Sequence, residues 1–139
     1  MSDPDRLLAA ARAAREAAYA PYSRYRVGAA LLSEDGRVFA GCNVENAAYP
    51  VGTCAEAGAI AAMAAGGARS IRAILVVADG PELVAPCGAC RQRIREFAGD
   101  DAPVYLAGPD GIGHTLRAAD LLPFAFGPTH LPDAGEHGS

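Results

Sequence analysis

The sequence of 139 residues has no tryptophan, and only 6% of it is aromatic. Its 51% hydrophobic fraction therefore rests heavily on alanine, and a thin core is expected. Positive charge is also short, with 12 basic against 16 acidic side chains and a formal net charge of -4. That balance argues against an electrostatic grip on nucleic acid or an anionic membrane, which needs a basic patch, and it suits a small neutral substrate. No apolar run approaches the roughly 18 to 20 residues of a membrane span. The polar start Met1-Ser2-Asp3-Pro4-Asp5 lacks the regions of a secretory signal, so a cytoplasmic location is expected. Structural disulfides are not expected in that reducing compartment, which leaves Cys42, Cys54, Cys87 and Cys90 to be explained, with metal ligation as the first candidate.

What is present fits one domain, with no room for a separate substrate domain. Leu7, Ala11, Ala14 and Ala18 recur at helical spacing and predict an amphipathic helix from Pro4 to Tyr19, ended by Ala20-Pro21. Val27 to Leu32 and Val38 to Ala40 flank Asp35-Gly36 and read as a hairpin. Gly41 to Thr53 is a loop long enough to need a purpose. A helix from Ala55 to Ala65, stopped by Gly66-Gly67, precedes a buried strand from Ile71 to Val77. A helix from Gly88 to Phe97 and a short strand from Pro103 to Ala107 follow, then a turn at Gly108-Pro109-Asp110-Gly111 and one helical turn from Ala118 to Leu122. The order implies an α/β domain whose mixed sheet carries helices on both faces.

Cys54-Ala55-Glu56 and Pro86-Cys87-Gly88-Ala89-Cys90 each stand where a loop enters a predicted helix. Cys87 and Cys90, three apart, share one face of a first helical turn, so both sulfurs can meet one metal, with Cys54 arriving from the other helix. Three thiolates leave one tetrahedral zinc position open for water, whereas a structural zinc site fills all four. Glu56 is close enough to reach that water without joining the ligands. Free N–H groups and the positive ends of two helices offset the negative charge of the site. Cys42, at a strand end, reads as a core residue, and a role as fourth ligand is what a structural zinc module would require.

The chain resembles the cytidine deaminase family, specifically its small homotetrameric zinc-dependent type, from about Pro21 to Gly127. The residues that carry the resemblance are Pro21-Tyr22-Ser23 with Val27-Gly28-Ala29-Ala30-Leu31, Gly41 to Tyr49, Thr53-Cys54-Ala55-Glu56, Pro86-Cys87-Gly88-Ala89-Cys90-Arg91-Gln92, and Leu121-Leu122-Pro123 with Phe126. A Cys-x-Glu followed by Pro-Cys-x-x-Cys is the general zinc deaminase pattern. The resemblance implies a three-layer α-β-α sandwich with a mixed five-stranded sheet, in a catalytic domain over residues 1–127 with a C-terminal tail over 128–139. It implies hydrolytic deamination of cytidine and 2'-deoxycytidine in pyrimidine salvage, one Zn²⁺ on Cys54, Cys87 and Cys90, and Glu56 as proton shuttle. It further implies that Asn43 and Glu45 hold the ribose, that Ala55 offers backbone groups to the base, and that Phe126 packs on the ring. Tyr25 stands where the family usually has Phe, and Tyr49 belongs to a loop implied to finish a neighbouring pocket in a homotetramer. Many members carry an arginine after the glutamate, where this chain has Ala57, so Arg91 or another nearby donor is expected to neutralise the thiolates together with the helix ends.

Other readings explain less. A redox Cys87-x-x-Cys90 pair leaves Cys54-Ala55-Glu56 without a role. An RNA surface through Arg6, Arg12, Arg15, Arg91, Arg93 and Arg95 lacks aromatic neighbours to stack bases, and the acidic balance opposes it. His114, His130 and His137 have no paired spacing and read as solvated or capping residues. A related deaminase of another small amino-base, such as a blasticidin S-like nucleoside antibiotic, is the enzymatic alternative.

Overall fold

Ser2 starts the chain's first helix, its hydroxyl accepting the Asp5 N–H at 3.3 Å, and Asp3 and Asp5 place negative charge at the positive helix end. In the computed structural model, which describes residues 1–131, this helix is α1, Asp3–Glu16. It ends before the expected Tyr19, because Tyr19 pairs instead with the chain beyond the first hairpin. The Tyr19 N–H donates to the Asn43 carbonyl at 3.1 Å, and the Glu45 N–H donates to the Tyr19 carbonyl at 2.8 Å. The segment that follows α1 is thus tied to the long loop through Tyr19.

The strands are β1 (Val27–Ser33), β2 (Val38–Cys42), β3 (Ile71–Ala78), β4 (Pro103–Gly108) and β5 (Gly111–Arg117), in the spatial order β2-β1-β3-β4-β5. β1 is antiparallel to both β2 and β3, β3 and β4 run parallel, and β5 returns antiparallel to β4. The hairpin turns where expected, with Gly36 at φ 85°. Helices α2 (Ala55–Ala65), α3 (Gly88–Phe97) and α4 (Ala118–Leu121) complete the fold, and α3 makes the crossover that a parallel β3–β4 pair demands. β5 is an element that the residue pattern alone did not single out. Its sequence, Gly-Ile-Gly-His-Thr-Leu-Arg, is mostly exposed on a sheet edge, so little hydrophobic alternation marks it.

Side chains alternate across the sheet and fill two cores. Ala29, Leu31, Ile74, Val76, Val104 and Leu106 pack with Ala59, Met63, Ile94 and Leu121 from α2, α3 and α4. Ala30, Leu32, Ala73, Leu75 and Val77 pack with Leu7 and Ala11 of α1 on the other face. This is the expected three-layer sandwich. A Cβ built on Gly28 would fall 2.0 Å from the Ala11 carbonyl oxygen of α1, and one on Gly41 would fall 2.4 Å from the Ala59 nitrogen of α2. Helix backbones lie directly on strand backbones at both points.

No helix among the described residues is long and apolar enough to cross a membrane. Of the expected tail, Pro128–His130 forms a short 3-10 turn, and His130 Nδ1 accepts the Gly127 N–H at 3.0 Å, a capping use. Residues 132–139, with His137, lie outside the described residues.

Candidate active site and metal centre

Two helix beginnings meet at the carboxyl side of the sheet. Cys54 is the N-cap of α2, which places Glu56 in that helix's first turn. Cys87 is the N-cap of α3, with Cys90 one turn inside it. The three sulfurs lie within 4.8 Å of one another. Thiolates bound at about 2.3 Å around a tetrahedral zinc ion stand roughly 3.8 Å apart, so the cluster is already close to a binding arrangement. No fourth His, Cys, Asp or Glu joins the group among the described residues. Cys42 is half-buried, pairs with Gly28 across the hairpin, and stays outside the cluster. That leaves the structural-module reading without its fourth protein ligand.

The electrostatics of the cluster call for a cation. Burial raises the affinity of Cys54 and Cys90 for their protons, and the neighbouring negative groups add to it. Cys87, which is exposed, is pulled the other way, first by the backbone N–H of Cys90. A divalent ion is the partner that lets three adjacent thiols ionise together, so this donor set fits zinc. Glu56 is only 4% exposed, and burial holds its carboxyl above the ordinary carboxylate range. Its own backbone N–H, Cys90 and the charge of Arg93 oppose that shift more weakly.

A cleft of about 580 Å³ opens beside this cluster, within the size range of small-molecule sites. Cys54, Ala55, Glu56 and Cys87 line it, together with Asn43, Glu45 and Tyr49 from the long loop. The loop is held from both sides. Val44 bonds Thr53 through both of its backbone groups, at 3.0 and 2.9 Å, while Tyr19 bonds the flanking Asn43 and Glu45. Asn43 Oδ1 accepts the Val27 N–H at 2.8 Å, and Asn43 Nδ2 donates to the Tyr25 carbonyl at 2.9 Å. Glu45 accepts from the Tyr22 and Ser23 N–H groups at 2.9 and 3.1 Å and from the Ser23 hydroxyl. These bonds, led by the Ser23 hydroxyl, keep Glu45 below the ordinary carboxylate range.

The structure therefore gathers Asn43, Glu45, Tyr49, Cys54, Ala55, Glu56 and Cys87 around one cleft, with Cys90 buried behind it. Tyr25 and Phe126 are not among its lining residues. Phe126 instead stacks on His130 at 5.2 Å between ring centres and is 56% exposed. The expectation for Arg91 is corrected. Its guanidinium donates to the carbonyls of Pro86 at 2.8 Å and Leu121 at 3.1 Å, and so clamps the approach to Cys87 onto α4. The donor that does reach a cysteine is Arg93, at 3.5 Å from Cys90 Sγ. Residue reading gave no role to Tyr22 and Ser23, the fasteners of Glu45, or to Arg93. The three-residue step from Cys90 to Arg93 on one helix was the available signal.

Comparison with known proteins agrees with this geometry. Residues 1–106 match the family model described as the cytidine and deoxycytidylate deaminase zinc-binding region. The chain is 48% identical over 134 residues to a cytidine deaminase of Sporosarcina psychrophila, covering 96% of this chain and 98% of that protein. It is 42% identical over 115 residues to one from Mycobacterium tuberculosis, covering 83% of each. A crystal structure of cytidine deaminase from Burkholderia pseudomallei superimposes with a TM-score of 0.84 at 48% identity, covering 91% of this chain and all of that one. With its thiol cluster, its buried carboxyl and these matches along most of its length, the chain belongs to the cytidine and deoxycytidylate deaminase family.

Proposed function

We propose that this enzyme deaminates cytidine and 2'-deoxycytidine hydrolytically, yielding the uridines and ammonia, with Glu56 as its acid–base group. The observation that carries the reading is the position of Glu56, which is buried, lines the nucleoside-sized cleft, and lies in the same helical turn as the metal-ligand candidate Cys54. Cys54, Cys87 and Cys90 would hold one zinc ion, which when bound supplies Lewis acidity toward the attacking water. A carboxyl held above its ordinary range by burial accepts a proton more readily than an exposed one, which suits a group that takes a proton and returns it. Glu56 delivers a proton to N3 of the cytosine ring and later to the departing exocyclic amine. One water is consumed and one ammonia leaves.

Ala55 presents backbone groups at the cleft wall for the base, and Asn43 and Glu45 face the ribose. Both of these side chains are fixed by bonds to residues 22–27, so the sugar side is arranged before substrate arrives. Residues 1–127 form the catalytic domain in this reading, and a reducing cytoplasm keeps the three thiols available.

The assembly proposed is a homotetramer with shared sites. Tyr49 is 75% exposed although it lines the cleft, and Phe124 and Phe126 stand exposed near the C-terminus. Such apolar surface suits burial against another copy, where Phe126 would reach a neighbouring cleft.

The test is Glu56→Gln, which keeps the shape and removes the proton carrier. Conversion of cytidine to uridine, followed by ultraviolet absorbance, is expected to fall by roughly 10² to 10⁴-fold while the zinc content of the purified protein stays at the parental level. Turnover close to the parental rate would refute the role of Glu56.

A further inference from the structure

Three thiolates and one zinc ion sum to a charge of -1, and the carboxylate of Glu56 lies beside them. Residue 57, next to Glu56, is an alanine and brings no counter-charge. The beginnings of α2 and α3 contribute partial positive charge, but every other source must be a side chain. α3 carries three arginines on alternate positions, and the structure gives each a different use. Arg91 is spent on the carbonyls of Pro86 and Leu121. Arg95 donates to the Ala98 carbonyl at 3.3 Å and pairs with Asp100 at 2.8 Å. Arg93 makes no ion pair with any carboxylate among the described residues, and its Nη1 lies 3.5 Å from Cys90 Sγ, within hydrogen-bond range for sulfur. Its charge is therefore left for the cluster. Because Arg93 follows Cys90 by one helical turn, its side chain reaches the sulfur along the surface of α3 without distorting either helix.

We propose that Arg93 is the positioning residue of the metal centre, donating to the Cys90 thiolate and offsetting the negative charge of the three-cysteine site from α3. In this chain the neutralising arginine thus comes from the helix of the Cys87-x-x-Cys90 pair, while the helix of Glu56 contributes none in its first turn. The proposal rests on zinc occupying the cluster, as set out above. Partners of this kind orient a ligand and tune its donor strength, and losing one typically costs roughly 10 to 100-fold in metal affinity.

The experiment compares the parental protein with Arg93→Met and Arg93→Lys. Zinc dissociation constants come from competition with a chromophoric chelator, and cobalt(II)-loaded samples report the thiolate-to-metal absorption. Arg93→Met is expected to bind zinc about ten- to a hundredfold more weakly, and its cobalt–thiolate band should move to lower energy as the sulfur loses its donor. Arg93→Lys, which keeps the charge, should recover part of both. Arg93 is exposed apart from this contact, so the metal-free proteins should melt together. A zinc affinity within about twofold of the parental value in Arg93→Met, with an unchanged cobalt spectrum, overturns the proposal. A parental protein that takes up no zinc overturns the zinc reading itself.

Discussion

Replacing Gly41 by alanine adds one methyl group at the seam between β2 and α2, and the structure fixes what it meets. The new Cβ would lie 2.4 Å from the Ala59 nitrogen, 2.6 Å from the Ala55 carbonyl oxygen and 2.7 Å from the Gly58 carbonyl carbon. All three are backbone atoms of one helix, so no side-chain rotation relieves the clash. Ordinary contact at about 3.4 Å requires α2 to retreat from the sheet by about 1 Å. Overpacking of this kind typically costs about 1–3 kcal/mol. For a chain of this length that lowers the melting temperature by roughly 3 °C per kcal/mol. The more telling effect is functional, because the first turn of α2 carries Glu56 and follows Cys54. A displacement near 1 Å at a reacting group is expected to lower kcat/KM for cytidine by about a hundredfold, and zinc affinity should fall with it. Gly28→Ala is the control. Its Cβ would fall 2.0 Å from the Ala11 carbonyl oxygen, so it pushes α1 away on the opposite face of the sheet. That variant should be destabilised at least as much but keep its zinc affinity. Melting curves, chelator competition and steady-state kinetics on both variants decide the matter. Parental kcat/KM and zinc affinity in Gly41→Ala, or equal zinc loss in the two variants, would refute the reasoning.

Three further outcomes are expected. The Arg26 side chain donates to Asp79 at 2.9 Å, and this bond, followed by the Arg26 N–H, the charge of Arg26 and then that of Arg15, lowers the Asp79 pKa below the ordinary 3.8 against the opposing effect of burial. A lowered folded pKa stabilises above the unfolded value and is lost as pH falls through the folded one. Thermal midpoints from pH 7 to 3 should therefore drop below about pH 4, and less steeply in Asp79→Asn; parallel curves for the two proteins would remove the pair from the account. Size-exclusion chromatography with light scattering should give four chains per particle, and Phe126→Ala should impair turnover while Glu56 and the cysteines are intact; a fully active monomer would exclude shared sites.

Much of the site was legible because its chemistry is local. Cys54-Ala55-Glu56 and Cys87-Gly88-Ala89-Cys90 are short motifs at helix starts, and the residues that stop and start those helices are adjacent in sequence. Ala55–Ala65 and Gly88–Phe97 were read to the residue for the same reason. What escaped depends on contacts between distant segments. α1 stops at Glu16 because Tyr19 finds partners at Asn43 and Glu45, which no window around Tyr19 displays. β5 forms because β4 offers it an edge, although its own side chains are mostly exposed. Arg91 and Arg93 have the same chemistry and differ only in what their faces of α3 meet.

The placement of the three cysteines also sets the order in which a growing chain becomes an enzyme. α1, the β1–β2 hairpin and the loop that ends at Cys54 leave the ribosome first, and they can pair locally. β3 is made next and pairs with β1, and Cys90, one turn inside α3, is the last of the three cysteines to be synthesised. No three-sulfur site exists until Cys90 has been made, so complete metal capture comes after roughly two thirds of the chain has been synthesised. A truncated product ending between Cys87 and Cys90 holds two of the three sulfurs and the whole of Glu56's helix, but no site that can close.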